Sequence, residues 1–170
     1  MIVPLALLFE SVVARPSLRL RIATAFGLVA ALAYTIGIMR WVLVARFLAN
    51  AVVCAHNATE AATAALIFRA FAVYCGNSFG ETIAPVAHGV WATILGHALL
   101  KVDRLPRWLG WAQIVTGAAI ALRPLEYVGA TTLGELGDIG VGAWTVLLAL
   151  TGVLLAKGEK QQNSTTSGPS

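Results

Sequence analysis

The segment GETIAPVAHGVWATILGHALL, residues 80–100, combines an apolar composition with one glutamate and two histidines. Its length is close to the roughly 20 residues that a helix needs to cross a hydrocarbon core of about 30 Å. The whole chain of 170 residues has a similar character, because 58 % of it is hydrophobic and only 12 % is charged. A soluble domain needs more polar surface than this, so the sequence predicts a membrane protein.

Other apolar segments are separated from this one by short charged stretches. Residues 1–13, 22–39, 108–128 and 139–156, together with 82–100, predict an all-α, polytopic transmembrane helical bundle of about five crossings. The first segment is too short to cross and resembles the second half of a span. We predict one membrane domain over residues 1–157 and a disordered polar tail over 158–170.

Residues 41–80 are harder to assign, because they are apolar yet contain two arginines, Arg46 and Arg69. Asn57 and Glu60 have the spacing of a capping box, which predicts that a helix begins near residue 58. Gly76 and Asn77 are typical of a helix end, so the same helix is predicted to stop there.

The basic residues favour one orientation of this chain, since Lys and Arg are retained preferentially in cytoplasmic loops. If residues 58–75 do not cross the membrane, eight of the 12 basic residues fall on one side. They are Arg15, Arg19, Arg21, Lys101, Arg104, Arg107, Lys157 and Lys160. We therefore predict an interfacial or re-entrant helix over 58–75 and a multi-pass protein of the cell membrane with a cytoplasmic C terminus. A crossing helix over 58–75 is the alternative.

Polar residues inside the apolar segments fall into layers when about 1.5 Å per residue is counted from the cytoplasmic ends. His88, Tyr34 and Thr145 all come out at a height of roughly 18–20 Å. An outer layer at roughly 24–30 Å contains Arg40, Glu81, Arg123, Glu126 and Asp138.

Helical phase places Glu81 and His88 on one face with small residues, so both are predicted to point at other helices. We predict that Glu81 forms an ion pair with Arg40 or Arg123, because an unpaired carboxylate at the membrane boundary is costly. His88 is predicted to be neutral and hydrogen-bonded to Tyr34. A structural role for His88 is weighed against binding of a ligand or proton transfer.

Candidate ligand-binding residues follow from these layers. They are His88, Tyr34, Glu81, Arg40, Arg123, Asp138 and Thr145. No Gly-rich phosphate loop, HExxH, CxxC or GxSxG motif occurs, so no metal and no cofactor is predicted. The basic residues are dispersed, which argues against nucleic-acid binding. The two cysteines, Cys54 and Cys75, flank a predicted helix about 27 Å long and are expected to be free.

Stripes of small residues mark the last two predicted spans. The stripes are Gly110, Gln113, Gly117 and Ala121 on the fourth span, and Gly142, Thr145, Ala149, Gly152 and Ala156 on the fifth. Small residues at this spacing allow helices to approach closely in a membrane. They predict packing seams, and they leave open a homo-oligomer or a membrane partner joined through the same faces.

Three segments carry a resemblance to a known family: IMRWVLVARFLA at 38–49, FRAFAVYCGNSFGE at 68–81 and KVDRLPRWLGWAQIVTGAAIAL at 101–122. With them, most of residues 20–157 resembles an uncharacterised family of bacterial multi-pass membrane proteins known as a domain of unknown function. LPRWLGW at 105–111 is the most specific part. The resemblance implies the helical architecture and a longer N-terminal region, and it implies no activity and no catalytic residues.

Three classes of function remain compatible with the sequence. The first is a membrane protein that binds a small hydrophobic molecule or a lipid, or a transport-like component. The second is a small intramembrane enzyme for a hydrophobic substrate such as an isoprenoid, with Glu81 or His88 as general acid. The third is an accessory subunit of a membrane complex. We favour the first, because polar residues at two depths share the interior of the predicted bundle.

Overall fold

The computed structural model describes residues 18–103 and 105–166. Helix α1 spans Leu18–Val53, α2 spans Ala58–Leu99, α3 spans Arg107–Leu122 and α4 spans Thr131–Thr166, with a 3-10 helix over Arg123–Val128. The described residues contain no strand, which confirms the all-α prediction. The first predicted span, residues 1–13, lies outside the described residues.

Within the described part of the chain, three helices are long and apolar enough to cross a membrane: α1, α2 and the Thr131–Leu155 part of α4. Helix α3 has only 16 residues, and it is therefore about 24 Å long. Five crossings are accordingly not confirmed. Helix α4 continues through Thr166. It therefore includes residues 158–166 of the segment 158–170, for which a disordered tail was predicted.

The start of α2 agrees with the sequence. The Asn57 side chain accepts a hydrogen bond from the Glu60 amide at 2.9 Å, and the Glu60 carboxylate accepts one from the His56 amide at 2.9 Å. The first contact is the predicted N-cap. The second differs from a standard capping box, because Glu60 accepts from the amide of His56, one residue before the N-cap, and both contacts provide acceptors for backbone N–H groups at the helix start.

The predicted end of this helix is wrong. The chain continues past Gly76 and Asn77 as a π-helical segment, Ala72–Ile83, and then as regular helix over Ala84–Leu99. Residues 58–75 are therefore the first part of α2 and not a separate interfacial or re-entrant helix. They pack against the last turns of α1, and the two helices together form a long helical hairpin.

Gly76 has a packing role that explains why it does not end the helix. A β-carbon at this position would overlap with Nη1 of Arg40. The Arg40 guanidinium crosses α2 at this point and donates a hydrogen bond to the backbone oxygen of Ala72 at 2.6 Å. Gly37 of α1 and Gly80 of α2 also touch, since a β-carbon on Gly37 would lie 2.9 Å from Gly80 Cα. Glycine here permits close approach of two helices.

The second half of α2 is the centre of the bundle. It packs on α1 at one side and on α3 at the other, while α4 packs on α3. The predicted stripe on α3 is confirmed as a contact inside the chain, because a β-carbon at Gly117 would lie 2.8 Å from the Thr93 amide nitrogen. The large buried side chains of the core are Trp91, Leu95, Leu109, Ile120 and Trp144.

The stripe on α4 does not form such a contact within the described chain. A β-carbon at Gly142 or Gly152 would meet no atom within 4 Å. Thr145, Ala149 and Gly152 instead line an open cavity. The small side chains therefore leave space beside α4. A stripe of small residues in a sequence cannot distinguish a close helix contact from a cavity.

Candidate functional site

A cavity of about 800 Å³ lies between α1, α2 and α4. Helix α2 contributes four lining residues, between Tyr34 of α1 and the larger set from α4. Six of the seven predicted candidates line this cavity, namely Tyr34, Glu81, His88, Arg123, Asp138 and Thr145. The seventh, Arg40, reaches it indirectly through an ion pair with Glu81.

Two ion pairs form the charged end of the cavity. Arg40 Nη2 lies 3.7 Å from a Glu81 carboxylate oxygen, which confirms the predicted pairing. Arg123 Nε donates to Asp138 at 2.9 Å. Glu81 also accepts a hydrogen bond from the phenol of Tyr127. Glu81 is therefore held from two sides, and the Arg123–Asp138 pair lies beside this group at the same end of the cavity.

Three carboxylates act electrostatically on the Arg123 guanidinium. Burial lowers the pKa of Arg123, but the attraction of Asp138, Glu126 and Glu81 outweighs burial and raises the pKa above its ordinary value. Arg123 is accordingly charged at all physiological pH values. Partial burial together with the hydrogen bond to Glu81 raises the pKa of Tyr127 to about 12.

His88 lies deeper in the cavity wall and is 3 % exposed. Its Nδ1 is 3.3 Å from the Tyr34 hydroxyl, so the predicted partner is confirmed. The imidazole packs edge-to-face on Trp144, with ring centroids 4.4 Å apart. His88 Nε2 and Trp144 Nε1 are buried and have no hydrogen-bond partner. Buried polar atoms without a partner are uncommon in proteins.

Thr145 lines the cavity, but its hydroxyl makes no hydrogen bond to another candidate residue. Its hydroxyl donates to the backbone oxygen of Val141 in its own helix at 2.9 Å. This local bond satisfies the hydroxyl hydrogen, and the remaining lone pairs face the cavity as weak acceptors.

Trp144 and Tyr127 line or support the site and were not among the predicted residues. A usable signal existed for Trp144, since tryptophan in membrane helices concentrates at the interfaces and Trp144 lies in the interior of α4. A tryptophan at mid-depth departs from this pattern and indicates packing in the interior of the bundle, where Trp144 contacts His88 and Trp91. Tyr127 gave no such signal, because it lies in the 3-10 helix, where counting along straight helices does not apply.

Neither cysteine forms a disulfide, as predicted. Within residues 18–103 and 105–166, no group of three or more His, Cys, Asp or Glu side chains is arranged to hold a metal ion.

Comparison with protein families extends the sequence resemblance. The model of a family described as Domain of unknown function (DUF4386) matches residues 1–158. The chain belongs to this family. The DUF4386 match covers all of the cavity-lining residues. No significant match was found among curated proteins or among solved structures. The function must therefore be argued from the site itself.

Proposed function

We propose that this protein is a multi-pass membrane protein that binds a small hydrophobic molecule or a lipid in the cavity between α1, α2 and α4. The cavity itself carries the proposal. Its volume of about 800 Å³ lies within the roughly 300–1,000 Å³ of small-molecule sites. Such sites combine mostly apolar walls with a few polar groups that orient the ligand.

The distribution of side chains along α4 supports an amphipathic ligand. Asp138 is at the charged end, and Val141, Leu148 and Gly152 extend the wall towards the opposite end. A ligand with a polar head and an apolar body would fit this arrangement in one orientation only. Binding of this kind is also the minimal requirement for a transport-like component.

The arrangement supports binding better than acid–base catalysis. His88 has Tyr34 as its hydrogen-bond partner, whereas Glu81 is seven residues earlier on the same helix and thus about 10 Å away along the axis. A carboxylate–imidazole pair needs a separation of about 3 Å. Glu81 is moreover engaged by Arg40 and Tyr127.

Two glycine substitutions in α4 test the proposal with a built-in control. Gly152→Leu would place a side chain in the cavity, and its β-carbon would meet no atom within 4 Å. Gly142→Leu adds the same side chain to the same helix at an equally open position outside the cavity lining. We expect native mass spectrometry of protein extracted with its own lipids to show a bound molecule on the parent and on Gly142→Leu, and loss of that molecule from Gly152→Leu. Equal occupancy of the two variants would contradict the proposal.

A further inference from the structure

We propose that the ligand of this cavity is a cationic amphiphile, with its ammonium group at Glu81 and Asp138 and its apolar body along α4. This inference rests on the proposed binding function and names the chemical class of the ligand. The observations that carry it are the balance of charge at the cavity mouth and the different exposure of the acidic and basic groups.

The charge balance at the mouth is negative. Arg123 is influenced by the carboxylates of Asp138, Glu126 and Glu81, and Arg40, which pairs with Glu81, is the second cation. Three carboxylates against two guanidinium groups leave one negative charge. An incoming cation would compensate this charge, whereas a carboxylate or phosphate would add to it.

The acidic groups are also the more accessible ones. The side chains of Asp138 and Glu81 are 68 % and 34 % exposed, while those of Arg123 and Arg40 are 17 % and 14 % exposed. A headgroup that enters the cavity therefore meets carboxylate oxygens first. Arg40 donates to the backbone oxygen of Ala72 and is not part of the cavity lining, so its guanidinium is not among the groups that an entering headgroup meets.

The cavity wall below the carboxylates suits the rest of such a ligand. Tyr34 and Trp144 line it, and aromatic faces attract cations. His88 and Trp144 are 3 % and 4 % exposed and each has a ring nitrogen without a partner. These unpartnered nitrogens indicate a ligand at this depth independently of the acidic groups. The Trp144 N–H is a donor only, so an acceptor atom in the body of the ligand would satisfy it, and the ammonium group would not. Pro85 lies between Glu81 and His88 on α2, and beyond Trp144 the α4 wall is apolar at Leu148 and Ala149.

The class of ligand can be tested with three probes that share one alkyl chain. Protein in nanodiscs of zwitterionic lipid would be titrated with dodecylammonium, dodecanol and dodecanoate, each brominated at the chain end. Binding would be followed by quenching of tryptophan fluorescence, with Gly152→Leu protein as the reference for partitioning into lipid. We expect dodecylammonium to bind about fivefold to tenfold more tightly than dodecanoate, as one partly exposed charge interaction of about 1 kcal/mol implies.

Charge-neutral variants identify the groups responsible. Asp138→Asn and Glu81→Gln should each weaken dodecylammonium binding about fivefold and leave dodecanol binding unchanged. Glu135→Gln, an exposed residue of α4 outside the cavity lining, should leave both unchanged. Tighter binding of dodecanoate, or no effect of Asp138→Asn, would overturn the cationic class while the cavity remained a binding site. If Gly152→Leu quenched as strongly as the parent with every probe, the proposed binding function would itself be wrong.

Discussion

Glu81 is the residue on which the charged end of the cavity depends. Arg40 approaches it from α1 at 3.7 Å, and Tyr127 donates a hydrogen bond to it from the 3-10 helix. Three separate elements are thus joined through one carboxylate. Because charge-assisted hydrogen bonds are stronger than neutral ones, the loss of either partner should be measurable.

The phenol of Tyr127 predicts a dependence of stability on alkaline pH. Its pKa is raised from 10.0 to about 12 in the folded protein. A group with a raised pKa stabilises the fold below its unfolded pKa and loses this effect as the pH rises to the folded pKa. We expect the parent to melt at a higher temperature than Tyr127→Phe below pH 10, and the difference to vanish as the pH approaches about 12.

Thermal melting of both proteins in detergent across this pH range would measure the effect. The difference in melting temperature between the parent and Tyr127→Phe at each pH is the informative quantity, because it isolates the contribution of the Tyr127 hydroxyl. A gap that stayed constant up to the highest pH would mean that the Tyr127 hydroxyl does not stabilise the fold through its proton.

Depth along straight helices was sufficient to predict much of the site. Tyr34 and His88 were predicted to lie at one height and they form a hydrogen bond, because α1 and α2 run side by side and rise evenly. The same count could not predict which arginine would pair with Glu81, since Arg40 and Arg123 are both at the outer boundary. Only the packing of α1 against α2 brings Arg40 to Glu81, and Arg123 is left to Asp138.

At the level of the elements, Arg40 of α1 lies against Gly76 of α2 and connects the two helices through its hydrogen bond to the Ala72 backbone oxygen. Sequence reasoning placed a helix end at Gly76, because a glycine followed by asparagine is typical of a C-terminal cap. The β-carbon that Gly76 lacks leaves room for Arg40, and no pattern within α2 reveals a side chain from another helix. The α4 stripe failed for a related reason, since Gly152 faces a cavity and Gly142 meets no other part of the described chain.

Gly76→Ala should disrupt this junction. The added methyl group would force the Arg40 guanidinium away from the Ala72 oxygen and from Glu81. We expect a loss of about 1–3 kcal/mol in the free energy of unfolding. Gly142→Ala, which meets no atom within 4 Å, should cause no loss.

A double-mutant cycle would identify the cause of this effect. Once Arg40→Ala has removed the guanidinium, Gly76→Ala should cost much less than in the parent, because coupled residues are not additive. Full additivity, measured by unfolding in mixed detergent, would show that Gly76 acts through its own helix and not through Arg40.

On the scale of the whole molecule, the hairpin is longer than a bilayer is thick. Helices α1 and α2 contain 36 and 42 residues, which correspond to about 54 and 63 Å, against a hydrocarbon core of about 30 Å. In the proposed multi-pass arrangement, the tip therefore extends beyond one face of the membrane. The charge distribution predicts that this is the outer face.

Labelling of intact cells with a membrane-impermeant maleimide tests this orientation. Cys54 lies at the hairpin tip and is exposed, so a variant that retains only this cysteine should be labelled. Single cysteines introduced by Asp103→Cys or Lys160→Cys in a background without native cysteines should be protected until the cells are permeabilised. Labelling of either position in intact cells would reverse or invalidate the proposed topology.

The short connection between α1 and α2 has a consequence for biosynthesis. Only Cys54–Asn57 separates the two helices, so neither helix can be released into the bilayer far from the other. In the proposed topology both Arg40 and Glu81 must be translocated towards the outer face. Moving either ion alone through hydrocarbon is expensive, whereas an arginine already joined to its glutamate carries no net charge. Insertion of the hairpin as a preformed unit would thus lower the barrier for translocating both residues.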